Sequence, residues 1–156
     1  MIRFRVISVG KPPKDWRQDG FQHFEKMLAS YARIEEVSVK EQKIAGNVSI
    51  DEGLQRESNA IVRALQPSSY KIALDLSGKQ YSTEDFADHI GHLLQQYSAF
   101  EFVIGGPYGL HRKTLSAVDE VLSLSRMTFP HDLARINLIE QLYRTISLLN
   151  NLPYHK

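Results

Sequence analysis

The sequence contains no cysteine. That excludes a disulfide framework, a thiolate metal site and a cysteine nucleophile, and it fits a reducing compartment. No apolar run approaches the roughly 20 residues of a membrane span. Met1-Ile2-Arg3-Phe4-Arg5-Val6 carries charges at positions 3 and 5, so it lacks the hydrophobic segment of a signal peptide. A cytoplasmic location is expected. The common nucleotide and nucleophile motifs are missing as well: there is no Walker A sequence, no G-x-G-x-x-G and no G-x-S-x-G. Net charge is also nearly absent, at +1. Phosphate binding would therefore need a local patch, because there is no bulk excess of cations.

What is present describes a globular chain. Apolar residues make up 42% and charged residues 24% of 156 residues, which suits one domain spanning 1–156 with a real core. Charge is unevenly spread. Residues 1–50 carry nine Lys/Arg against six Asp/Glu, residues 51–104 carry four against eight, and residues 105–156 carry six against four. The ends are mildly basic and the middle is acidic.

Hydrophobic periodicity alternates between strand and helix. Ile2 to Val9 reads as a strand, followed by a proline loop at Gly10–Lys14. Asp15 is a plausible N-cap for a helix running to about Ala32. Ile34 to Val39 is a second strand. Ser49 with Glu52 forms a capping-box signature, and the helix it opens stops before Pro67. Tyr70 to Leu76 is a third strand, and Ser82 starts another acid-rich helix. Phe100 to Ile104 is nearly all apolar, as expected at the centre of a parallel sheet. A short helical stretch around Thr114–Val118 and a strand from Glu120 to Ser125 follow. The longest helix runs from Asp132 to about Asn150. The order predicts one α/β domain with a mostly parallel sheet and helices on both faces.

Ligands of open α/β sheets sit outside the carboxyl ends of strands. Three such ends combine glycine or polar turns with apolar strands: Leu74–Gly78, Ile104–Gly109 and Leu124–Thr128. Glycine there lets backbone groups approach a ligand closely. His89 and His92 lie three apart on a helix without a nearby third ligand, so they read as a surface pair and no metal site is expected. On the last helix, Glu140 and Arg144 are spaced i,i+4, the spacing of a surface ion pair. Apolar residues spread around much of its circumference, which suggests cover on two sides, by the sheet and by a partner subunit. The tail Pro153-Tyr154-His155-Lys156 offers an aromatic ring, an imidazole and a cation.

Five segments together carry a resemblance. They are Ile72-Ala73-Leu74-Asp75-Leu76-Ser77-Gly78-Lys79, Phe102-Val103-Ile104-Gly105-Gly106-Pro107-Tyr108-Gly109-Leu110, the run Leu122 to His131, Glu140-Gln141-Leu142-Tyr143-Arg144, and the terminal Pro153 to Lys156. With them the whole chain resembles the small SPOUT-class methyltransferases of large-subunit ribosomal RNA, the methyltransferase H family. The resemblance implies an α/β fold whose C-terminal part forms a trefoil knot. It also implies a homodimer and transfer of a methyl group from S-adenosylmethionine to N3 of a pseudouridine in 23S rRNA on the assembled ribosome. By position, cofactor contacts would be Leu74, Gly105, Leu124, Ser125, Arg126, Met127, Thr128 and Phe129. His131, Arg144, Tyr154, His155 and Lys156 would surround the target base, the tail coming from the same subunit or from its partner. Tyr108 stands where some relatives carry an acidic residue, and Lys156 where some carry arginine. Lysine keeps the charge but loses the bidentate fork.

Overall fold

The computed structural model describes residues 1–154. Strands and helices alternate along the chain: β1 (Ile2–Val9), α1 (Trp16–Leu28), β2 (Ala32–Val39), α2 (Ile50–Ala64), β3 (Tyr70–Lys79), α3 (Thr83–Leu93), β4 (Ala99–Ile104), α4 (Arg112–Ser116), β5 (Glu120–Leu122) and α5 (His131–Leu149). The five strands form one parallel sheet in the order β2-β1-β4-β3-β5. β4 is central and all six of its residues are buried, as its continuous apolar sequence predicts.

Three helix starts are capped as the sequence predicts. The side chains of Asp15, Ser49 and Ser82 accept hydrogen bonds from the backbone N–H groups of Arg17, Glu52 and Asp85, satisfying donors that the first helical turn leaves unpaired. The sheet then separates two apolar layers. Phe4, Phe100, Phe102 and Ile104 face Phe21 and Leu28 of α1, Ile90 of α3, and Leu138, Leu142 and Ile146 of α5. Ile7, Ala73 and Val103 face Ile61 of α2, with Leu115 and Val118 beside them. α5 is flanked by both α1 and α3 of its own chain, which accounts for much of its broad apolar surface.

One charge sits inside this core. Glu101 of β4 is fully buried and pairs with Arg5 of β1. Its other oxygen accepts from the Gln66 N–H at 2.8 Å and from the Ser69 hydroxyl. Arg5 also donates to the Ala64 carbonyl at 3.1 Å. The central strand is thereby tied to the end of α2 by a buried charge whose oxygens are both engaged, the condition under which such a group is tolerated.

Three boundaries differ from the sequence expectation. α1 stops at Leu28 rather than near Ala32, because Ala32 is taken into β2 opposite Ile2. β3 continues to Lys79 rather than ending at Leu76, and β5 stops at Leu122 rather than Ser125. The last two have one origin. Leu122 partners both Leu74 and Lys79, so the far end of β3 passes over β5, and the Ser123 N–H donates to the Lys79 carbonyl at 2.9 Å. His89 is more engaged than a surface residue. Its Nε2 lies 2.7 Å from Glu120, and its ring stacks on Tyr81, whose hydroxyl donates to the same carboxylate at 2.6 Å. Tyr70 completes the group, its hydroxyl 3.3 Å from Glu120. Burial, reinforced by Glu120, pushes the Tyr70 phenol up to about 12.

Glu101→Ala removes the buried partner of Arg5 and leaves it the half-exposed Glu35 at 3.3 Å and the Ala64 carbonyl. It should lower unfolding stability by about 3–5 kcal/mol in urea titration. A loss below ~1 kcal/mol would show that the pair does not anchor the sheet.

Candidate active site

The carboxyl ends of β3, β4 and β5 lie side by side at one edge of the sheet and border a cleft of about 720 Å³. That is the size of a small-molecule or cofactor site. β3 contributes Leu74, Asp75 and Leu76, the turn after β4 contributes Gly105 to Gly109, and the segment after β5 contributes Ser123 to Ser125 and Met127 to Pro130. His131 and Ala134, in the first turn of α5, close one side.

Local hydrogen bonds shape these walls. Gly109 adopts φ +78°, and its N–H donates to the Gly106 carbonyl at 3.0 Å. The chain turns so tightly that a Cβ on Gly105 would lie 2.6 Å from the Gly109 oxygen, which only glycine avoids. In the other wall the Ser123 hydroxyl donates to the Ser125 carbonyl at 2.9 Å, and the Ser125 hydroxyl accepts from the Met127 N–H at 3.0 Å. Both walls are thus built largely of backbone. Exposed apolar side chains surround the mouth: Met127 is 73% exposed, Tyr108 56% and Phe129 38%. Large exposed apolar groups gathered at a concave site indicate a ligand surface.

Seven of the eight residues expected at the cofactor line this cleft: Leu74, Gly105, Leu124, Ser125, Met127, Thr128 and Phe129. Arg126 does not. Its side chain is exposed outside the lining. Sequence reasoning omitted Gly106, Pro107, Tyr108 and Gly109 from the contact set, although the glycine turn itself was the available signal. It also missed Asp75, whose Oδ2 accepts from the Ser77 N–H at 2.9 Å.

The residues expected around the target base divide into two groups. His131 lines the cleft, and its Nε2 lies 3.7 Å from Asp132, which Arg17 holds at 2.7 Å. Arg144 and Tyr154 form a separate cluster on α5. Arg144 pairs with Glu140, the guanidinium sits 4.9 Å from the centre of the Tyr154 ring, and Tyr154 meets Tyr143 edge-on at 4.6 Å. The Tyr154 hydroxyl donates to Glu140 at 3.2 Å. Burial raises the Tyr154 phenol above its ordinary value, and Glu140 raises it further, so the group is protonated at neutral pH. Thirteen residues of helix at 1.5 Å each put His131 and Arg144 roughly 20 Å apart along α5. His155 and Lys156 lie outside the described residues. Among the described residues no group of three or more His, Cys, Asp or Glu is placed to hold a metal ion.

The lining of the cleft has the chemistry that S-adenosylmethionine would need. Backbone edges suit an adenine, apolar side chains suit its faces, and the Asp75 carboxylate suits an ammonium or a ribose hydroxyl. The residues present fit the group.

A parallel sheet with a backbone-built cleft at its carboxyl edge defines a ligand-binding α/β domain. Solved structures share this fold. A probable methyltransferase from Bordetella pertussis Tohama I superposes with a TM-score of 0.63 at 14% identity, covering 93% of this chain and 95% of that one. A probable methylase family protein from Haemophilus influenzae Rd KW20 superposes with a TM-score of 0.54 at 12% identity, covering 98% of this chain and 70% of that one. The sequence model described as "Predicted SPOUT methyltransferase" matches residues 2–155, and the chain belongs to that family. Among relatives, the ribosomal RNA large subunit methyltransferase H of Carboxydothermus hydrogenoformans is 38% identical over 159 residues, covering 99% of this chain and all of that protein. The protein of that name from Clostridium botulinum strain Hall is equally similar, at 38% with the same coverage. That from Pseudothermotoga lettingae is 36% identical over 154 residues, covering 99% of each chain.

Gly105→Ala should weaken S-adenosylmethionine binding about tenfold or more in calorimetry, since the added methyl displaces the Gly109 carbonyl at an overpacking cost of about 1–3 kcal/mol. Unchanged affinity would mean that the glycine turn is not the cofactor wall.

Proposed function

We propose that this protein is a cytoplasmic methyltransferase that uses S-adenosylmethionine to methylate N3 of a pseudouridine in 23S rRNA on the assembled ribosome. The single observation that carries the reading is that the cleft at the carboxyl edge is lined by residues from three of the five segments that resemble the methyltransferase H family. Full-length similarity to proteins named ribosomal RNA large subunit methyltransferase H supports it.

When bound, S-adenosylmethionine supplies an electrophilic methyl group. Leu74, the Gly105–Gly109 turn and the Leu124–Phe129 segment hold the cofactor and fix its orientation. Such positioning carries much of the rate of an in-line displacement. N3 must lose its proton as it takes the methyl. His131 stands at the cleft with a ring nitrogen able to receive a proton or to hold the base in place. Arg144 stabilises the negative charge that develops on the deprotonated ring. Tyr154, whose phenol burial and Glu140 hold above its ordinary value, acts as a stacking surface and hydrogen-bond donor. His155 and Lys156 are assigned to the RNA on the strength of the resemblance.

The roughly 20 Å between His131 and Arg144 within one chain gives the dimer its purpose. We infer a homodimer in which Arg144 and the tail of one protomer meet His131 and the cofactor of its partner. The knot belongs to the same reading.

Ribosomes from a strain lacking this protein should incorporate labelled methyl from S-adenosylmethionine into 23S rRNA at one pseudouridine. No incorporation by a protein that still binds the cofactor would sink the substrate assignment. Removing Tyr154–Lys156 should spare cofactor binding and abolish methylation, and full activity in that variant would make the tail dispensable.

A further inference from the structure

The loops at the two edges of the sheet differ in charge. Five loops lie at the carboxyl edge: residues 10–15, 40–49, 80–82, 105–111 and 123–130. Together they carry five cations (Lys11, Lys14, Lys40, Lys43 and Arg126) against two acids (Asp15 and Glu41). The four loops of the opposite edge, residues 29–31, 65–69, 94–98 and 117–119, carry no Lys or Arg and one acid, Asp119. Five of the 19 Lys and Arg residues thus lie in loops of the edge that bears the cleft, and none in loops of the opposite edge.

These groups are free to meet a ligand. All five are exposed. None forms an ion pair with another described residue, whereas Arg5, Arg17, Arg56, Arg135 and Arg144 are all paired. Of the two acids in these loops, Asp15 is already held by Arg17 at 2.7 Å, and Glu41 lies beside Gly10. The loops are continuous with the cleft: a Cβ on Gly106 would touch Val9 at 3.2 Å, and the Gly10 N–H donates to the Val39 carbonyl at 2.8 Å. The ends of β4, β1 and β2 thus stand shoulder to shoulder, about 5 Å apart. Two aromatic rings lie among the cations. Trp16, the only tryptophan, is 64% exposed at the start of α1, and Tyr108 is 56% exposed at the cleft mouth. Basic side chains interleaved with exposed rings suit single-stranded nucleic acid, whose phosphates meet the cations while its bases stack.

We infer that RNA flanking the target base leaves the cleft over Tyr108 and crosses the β1–α1 loop to the β2–α2 loop, its phosphates against Lys11, Lys14, Lys40 and Lys43 and a base on Trp16. This track rests on the proposed function, because it takes rRNA as the substrate. It supplies the local patch that a net charge of +1 does not. The strand order makes the track directional: it runs from the cleft toward β2, away from β5.

The test uses the full-length protein and ribosomes from a strain lacking it. Binding to ribosomes and methyl transfer are measured from low to moderate salt for the wild type, K11Q/K14Q, K40Q/K43Q and Trp16→Ala, with K26Q, an exposed lysine at the far end of α1, as control. Each lysine pair should flatten the log–log salt dependence of binding by about 1.4 and raise KM for ribosomes several-fold. Thermal stability and S-adenosylmethionine affinity should be unchanged, and K26Q should match the wild type. Trp16→Ala should weaken binding without altering the salt slope. Wild-type slope and KM in both lysine pairs would overturn the track, as would an equal effect of K26Q. If the wild type transfers no methyl to rRNA yet the lysine pairs weaken ribosome binding, the track stands and the catalytic reading fails.

Discussion

The structure depends on a close approach of backbone to backbone. Gly78 lies so near β5 that a Cβ there would sit 2.5 Å from the carbonyl carbon of Leu122 and 2.7 Å from the Ser123 nitrogen. No side chain fits, so the end of β3 can fold over β5 only because residue 78 is glycine. That contact sets where β5 ends. The end of β5 sets where Ser123 to Pro130 leave the sheet, and those residues form one wall of the cleft. A second close approach, of Gly105 to Gly109, forms the facing wall. The site is therefore a product of two places where the chain has no side chain to spare. It is built of rigid backbone rather than of mobile polar groups, which suits positioning more than acid–base chemistry.

Much of the fold was legible in the sequence because local chemistry and tertiary structure agree. Asp15, Ser49 and Ser82 cap the helices they are expected to cap. Phe100 to Ile104 is apolar at every position but Glu101 and lies at the sheet centre. The failures occur where a distant segment overrides local preference. Ser77-Gly78-Lys79 reads as a turn, yet it continues β3 because β5 supplies partners. Tyr31 and Ala32 continue the apolar spacing of α1, yet Ile2 recruits Ala32 into β2. Neither pairing can be seen within a local window.

The site was legible as a set of strand ends but not as a geometry. The glycine turns pointed to the cleft, and the resemblance supplied the residues of the Leu124–Phe129 segment. Periodicity correctly made a single helix of α5, and the length of that helix sets His131 apart from Arg144 and Tyr154 within one chain. Arg144 and Tyr154 instead share Glu140 and form a cluster of their own. Within one chain the cleft brings together Leu74, Gly105 and the Leu124–Phe129 segment, and Arg144 and Tyr154 lie apart from it. Charge follows the same plan: the cations of the carboxyl-edge loops flank the cofactor wall, and the opposite edge has none in its loops.

The central claim is that the two glycine-dependent walls hold the methyl donor. Amide hydrogen exchange, followed with and without S-adenosylmethionine, tests it most directly. The account predicts that protection appears at Gly105–Gly109 and at Ser123–Phe129, with Leu74–Leu76 responding at the edge. Protection centred instead on the face formed by Tyr81, His89 and Glu120, with the glycine turn unaffected, would contradict it.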